Sequence, residues 1–108
     1  MDNCIQKVYD TILDRRDNPS ENSYTRYLFD QGIDKILKKI GEETAEVLIA
    51  AKNGSNQDSI SEIADLTYHV LVLMAHQGIT PQDIVNLLNE RHNISGNIKK
   101  FHKTDKNT

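Results

Sequence analysis

Two pairs of carboxylates placed symmetrically about one glycine constrain this chain more than any other feature. Gly41-Glu42-Glu43-Thr44-Ala45-Glu46 carries an E-E-x-x-E pattern, and Glu62-Ile63-Ala64-Asp65 carries E-x-x-D. Between them, Lys52-Asn53-Gly54-Ser55-Asn56 reads as a turn. If the flanking segments are antiparallel helices, positions whose numbers sum to 108 lie level. Glu46 then faces Glu62, and Glu43 faces Asp65. Four acids in one small volume repel one another unless a cation joins them. The spacing therefore predicts a helical hairpin built around a divalent metal.

Hydrophobic periodicity extends the helical reading to the whole chain. Ile5, Val8, Ile12 and Leu13 recur at helical spacing, predicting a first helix over about residues 3–16 that stops at Asn18-Pro19-Ser20. Ser23 is an N-cap for a short helical segment holding Tyr24, Tyr27, Leu28 and Phe29, which closes near Gly32. A long helix over about 33–52 carries Ile33, Ile36, Leu37, Ile40, Thr44, Val47, Leu48 and Ala51 as one stripe. At about 100° per residue, Glu43 falls on the edge of that stripe, Glu46 lies further round, and Glu42 points away. The next helix, about 57–77, is apolar over most of its circumference, and such a helix is usually covered on most sides. Its exceptions, Glu62, Asp65 and His69, form one narrow ionisable strip. Thr80 as N-cap and Pro81 at the first helical position open a last helix, which ends around His92 to Gly96.

These signals predict an all-α fold of four to five helices with a central antiparallel hairpin. A helix so apolar is hard to cover in a chain of 108 residues, so a homodimer is expected to complete the bundle. Residues 1–96 read as one domain and 97–108 as a polar, mobile tail. A formal net charge of −3, with no basic face outside the tail, argues against a nucleic-acid binder. No apolar run is long enough to span a bilayer. A single cysteine, Cys4, and an N-terminus without a basic-then-apolar leader fit a cytoplasmic protein.

The donor set suggests the chemistry. Magnesium takes oxygen ligands, keeps several waters and commonly holds phosphates, so a phosphate ester or anhydride is the expected substrate class. Carboxylates at i and i+3 share a helical face, and two such pairs make a four-oxygen pocket on rigid supports. Di-iron carboxylate bundles use Glu-x-x-His pairs, and no glutamate here is followed three positions later by histidine. Lys39 lies on the side of Glu43 and Glu46, where it can pair with them or reach a phosphate. Spacing alone leaves Arg26 and Arg91 as either surface residues or phosphate ligands. His69, one turn beyond Asp65, can bond to it or serve as a core residue.

The same residues carry a family resemblance. Ser23-Tyr24-Thr25, Tyr27-Leu28-Phe29, the run Gly32 to Glu43, Glu46-Val47, Ala50-Ala51-Lys52-Asn53, Glu62-Ile63-Ala64-Asp65-Leu66 and Tyr68-His69 closely resemble phosphoribosyl-ATP pyrophosphohydrolases of histidine biosynthesis. The resemblance implies a magnesium-dependent, all-α dimer in which metal-activated water cleaves phosphoribosyl-ATP to phosphoribosyl-AMP and pyrophosphate. It also implies that Glu43, Glu46, Glu62 and Asp65 bind the metal. Glu42 becomes an outer acid or water-orienting base, and Lys38, Lys39 and Lys52 become ligands of the triphosphate. Many relatives carry a fused cyclohydrolase domain, and a free-standing pyrophosphohydrolase is expected here. The carboxylate pattern without the Gly32–Glu43 run would mark only the wider group, including MazG-like enzymes that clear noncanonical nucleoside triphosphates. A non-catalytic helical dimerisation module with solvated acids is the rival from another class.

Overall fold

The computed structural model describes residues 3–18 and 22–95, and the expected tail at 97–108 lies outside them. Among the described residues the fold is all-α, with five helices: α1 (Cys4–Asp17), α2 (Tyr24–Gln31), α3 (Ile33–Lys52), α4 (Asn56–Gln77) and α5 (Pro81–Ser95). The caps explain the boundaries. The Ser23 hydroxyl accepts a hydrogen bond from the Arg26 amide at 3.1 Å, satisfying one orphan donor at the start of α2. Ser55 accepts in the same way from the Asp58 amide at 3.2 Å, so α4 begins one residue earlier than the periodicity predicts. At α5 the capping is reciprocal: Thr80 Oγ1 accepts from the Asp83 amide, and the Asp83 carboxylate accepts from the Thr80 amide. Gly54 (φ 79°) and Gly78 (φ 74°) take backbone conformations open to few other residues, which is why the chain can reverse directly after α3 and after α4.

α3 and α4 form the antiparallel hairpin and make the most extensive contact in the molecule. The core gathers at one end of it. Tyr9 and Ile12 from α1, Leu28 from α2 and Ile36 from α3 pack onto Leu71, Val72, Met74 and Ala75 of α4. Side chain-to-backbone bonds fasten this end. The Tyr9 hydroxyl donates to the Ile79 carbonyl at 2.7 Å, and Arg16 donates to the Ala75 carbonyl at 3.2 Å. Arg26 donates to the Arg16 carbonyl at 2.7 Å and pairs with Asp30 at 3.0 Å. Arg26 is therefore a clamp between α1 and α2 that satisfies a carbonyl at the end of α1.

The other end is bare. The buried line of α3 is Ile36, Glu43 and Ala50, whereas Leu37, Thr44, Leu48 and Ala51 of the expected stripe are exposed. The stripe is wider than one packed neighbour covers, and α4 lies against the edge that carries Glu43. On α4 only His69 to Ala75 supplies buried residues, while Ile60 is 70% exposed and Ile63 50%. Ile84, Val85, Leu87 and Leu88 of α5 are likewise exposed. The radius of gyration is 16.1 Å, against about 13 Å for a compact domain of this length. Apolar surface left uncovered to this extent is unusual for a packed single core. No helix among the described residues is long and apolar enough to cross a membrane.

Leu28 is wholly enclosed. Leu28→Ala is expected to lower the unfolding free energy by about 2–5 kcal/mol, through lost transfer energy and the cavity left behind. A shift in the urea midpoint at unchanged slope would register it.

Candidate metal centre

The hairpin brings the acids together from two rigid helices. α3 supplies Glu43 and Glu46, α4 supplies Glu62 and Asp65, and the i, i+3 spacing aims each pair from one face. Carboxylate oxygens of Glu43, Glu62 and Asp65 all lie within 4.8 Å of one another. Glu46 stands outside that triad, close enough to Glu43 and Glu62 to perturb both carboxyls. A crevice of about 330 Å³ runs from Glu46 and Glu62 toward the turn and adds Asn53 and Asp58 to its lining. Asp58 sits level with Ala50 in the same register, outside the two acidic pairs that the spacing picks out. Lys38 and Lys52 are exposed on α3.

The electrostatics of this arrangement suit a cation. The Glu43 carboxyl is pushed above its ordinary value, first by burial, then by the adjoining Glu46 carboxyl and by Asp65, with His69 opposing. Glu62 is raised too, chiefly by the Glu46 carboxyl beside it, then by burial and by the charges of Glu46, Asp65 and Glu43. Glu43 Oε2 and Glu62 Oε2 are buried and have no hydrogen-bond partner among the described residues. Orphaned acceptors of this kind are costly, and an oxygen-only donor set suits a hard divalent cation. The residues present fit such an ion.

The surrounding groups divide by contact. Lys39 Nζ lies 3.3 Å from Glu42 Oε2, so this lysine pairs with the outward acid rather than with Glu43 or Glu46. Lys35 sits over the Tyr27 ring, its Nζ 5.8 Å from the centroid. His69 is buried, with Nδ1 2.8 Å from the Asp65 backbone carbonyl and Nε2 2.8 Å from the Tyr24 hydroxyl. A carbonyl only accepts, so Nδ1 carries the hydrogen; in that tautomer Nε2 accepts from Tyr24. The Asp–His bond suggested by sequence thus runs to the backbone of Asp65, not its carboxylate. Helical period gives Tyr24 no place beside the acids, because α2 approaches α4 through tertiary packing that no such period records.

Fold and site together define a class: an all-α protein whose helical hairpin presents an acidic cluster suited to a hard divalent cation. The phosphoribosyl-ATP pyrophosphohydrolase family matches residues 5–92, and the chain belongs to that family. It is 54% identical over 101 residues to the phosphoribosyl-ATP pyrophosphatase of Clostridium novyi, covering 92% of each chain. Identity to the phosphoribosyl-ATP pyrophosphatase of Pelotomaculum thermopropionicum is 59% over 81 residues, 75% of this chain and 83% of that one. It is also 50% identical over 91 residues to the histidine biosynthesis bifunctional protein of Lactococcus lactis, 84% of this chain and 43% of that longer protein.

Raised acids make a pH prediction. A folded state that binds protons more tightly than the unfolded chain is favoured by acid. The contribution of Glu43 and Glu62 is present below their unfolded value and is lost as pH rises through the raised folded value. The metal-free protein should therefore melt at a higher temperature near pH 5 than near pH 7. Saturating magnesium should flatten that difference in parallel thermal scans.

Proposed function

We propose that the chain hydrolyses phosphoribosyl-ATP to phosphoribosyl-AMP and pyrophosphate, the second step of histidine biosynthesis, with magnesium as cofactor. The observation that carries the site assignment is the pair of buried, unpartnered oxygens on Glu43 and Glu62, two acids that converge with Asp65. Membership of the family and 54% identity over nearly the full length of a named phosphoribosyl-ATP pyrophosphatase support the substrate.

Glu43, Glu46, Glu62 and Asp65 are the ligands in this reading. When bound, the cation neutralises the charge of neighbouring phosphates and eases deprotonation of water. The chain's own part is placement. Helices fix the carboxylates, and burial at Glu43 limits access of bulk solvent on that side. Lys38, Lys39 and Lys52 offer positive charge to the triphosphate, and the Glu42 contact holds the Lys39 side chain in one orientation. Glu42, outside the cluster, acts as an outer acid through Lys39, and a carboxylate of the site takes the proton of the attacking water. Attack at phosphorus opens the anhydride between the α- and β-phosphates, and pyrophosphate leaves.

The protein works as a homodimer in the cytoplasm. The exposed apolar residues Leu48, Ile49, Ile60 and Ile63 at the turn end of the hairpin support the dimer, since their burial against a second copy removes a large unfavourable contact with water. The single cysteine, Cys4, supports the reducing compartment.

Product identification after incubation with phosphoribosyl-ATP and magnesium tests the reaction directly, with deoxynucleoside triphosphates as the competing substrates. Glu62→Gln should leave the helical circular-dichroism spectrum intact, weaken magnesium binding in calorimetry and lower turnover by orders of magnitude. Unchanged turnover would remove Glu62 from the site. Ile60→Asp, at a position 70% exposed in the single chain, should leave the helices folded yet shift the light-scattering mass from dimer toward monomer.

A further inference from the structure

A second cavity, of about 470 Å³, opens between α1 and the start of α2. Its apolar lining comes from Val8 and Ile12, with Tyr24 and Tyr68 beside them, and two cations, Lys7 and Arg15, line it from α1. Lys7 and Arg15 are eight positions apart with Thr11 between them, so they share one helical face. Their charge is available. Lys7 makes no ion pair among the described residues, and Arg15 meets only its sequence neighbour Asp14, at 3.5 Å with both side chains largely exposed. In a chain with net charge −3 and an acidic cluster nearby, paired cations over an apolar floor stand out.

Tyr24 joins this cavity to the acids. Its ring lines the cavity, while its hydroxyl bonds to His69 Nε2, and His69 bonds in turn to the Asp65 carbonyl. A ligand held beside Tyr24 is thus one side chain away from the carboxylate cluster. The volume exceeds what one phosphate needs and falls in the range of small-molecule pockets, about 300–1,000 Å³. Apolar floor, aromatic walls and two cations suit a flat heterocycle that carries a phosphate on a tether.

We propose that this cavity is the subsite for the phosphoribosyl-bearing end of the nucleotide. The purine lies over Val8 beside the two tyrosines, and the remote 5-phosphate meets Lys7 and Arg15. This assignment rests on the hydrolysis of phosphoribosyl-ATP proposed above. It distinguishes that substrate from ATP, which lacks the second phosphorylated ribose.

The Lys7→Gln/Arg15→Gln double variant tests it. KM for phosphoribosyl-ATP should rise about tenfold or more, with kcat changed far less. Inhibition by phosphoribosyl-AMP should weaken by a similar factor, while inhibition by AMP stays the same, and Lys7→Arg should keep the wild-type KM. Wild-type values for KM and for phosphoribosyl-AMP inhibition would overturn the subsite, as would an equal weakening toward AMP. If the wild type releases no pyrophosphate from phosphoribosyl-ATP, the parent reading fails instead. Calorimetry with phosphoribosyl-AMP on the wild type and the variant then decides the cavity alone, equal affinities counting against it. Should the double variant melt early, the same titration with the single variants Lys7→Gln and Arg15→Gln reads the contact.

Discussion

Mutual repulsion among carboxylates is the constraint around which this molecule is organised. The α3–α4 hairpin aligns its acids so that Glu43, Glu62 and Asp65 converge. A solvated acidic face would avoid that cost by rotating its side chains into water. Here the cost is built in, because Glu43 is buried and it and Glu62 each hold a buried oxygen without a partner among the described residues. Removing an ionised oxygen from water without a partner is among the more expensive acts in folding. A bound dication would offset it, so the structural penalty and the capacity for a cation are one property.

The remaining architecture supports that alignment from a distance. Tyr9, Arg16 and Arg26 spend their hydrogen bonds on backbone carbonyls, fixing α1 and α2 against the far end of the hairpin. His69 sits where the core meets the acids, bonded to Asp65 on one side and Tyr24 on the other. The helices therefore approach the acidic cluster already oriented, and placement there does not depend on the side chains of the cluster alone.

Much of this was legible in the sequence because helices write their geometry locally. The turn at Asn53-Gly54, the caps at Ser23 and Thr80 and the level pairing of Glu46 with Glu62 all follow from short-range periods and known terminal chemistry. Burial was less legible. Leu37, Thr44 and Leu48 share a stripe with Ile36 yet lie exposed, because period alone says which residues share a face and not which face a neighbour covers. Lys39 shows the same limit for charge. Its angular position put it beside Glu43 and Glu46, but a flexible chain found the freer carboxylate of Glu42 one turn on. Tyr24 and Asp58 reach the site through tertiary contact and turn geometry, which no pattern of like residues announces.

The lopsided core has a consequence for motion. Past Glu43, α3 buries only Ala50, and α4 buries nothing before His69 among the described residues. Splaying the distal turns would therefore unpack almost no hydrocarbon in a single chain, and hydrogen exchange there should be governed by local opening rather than global unfolding. A dication held by acids from both helices would brace that half against opening. Ligation would then work directly against that low-energy opening.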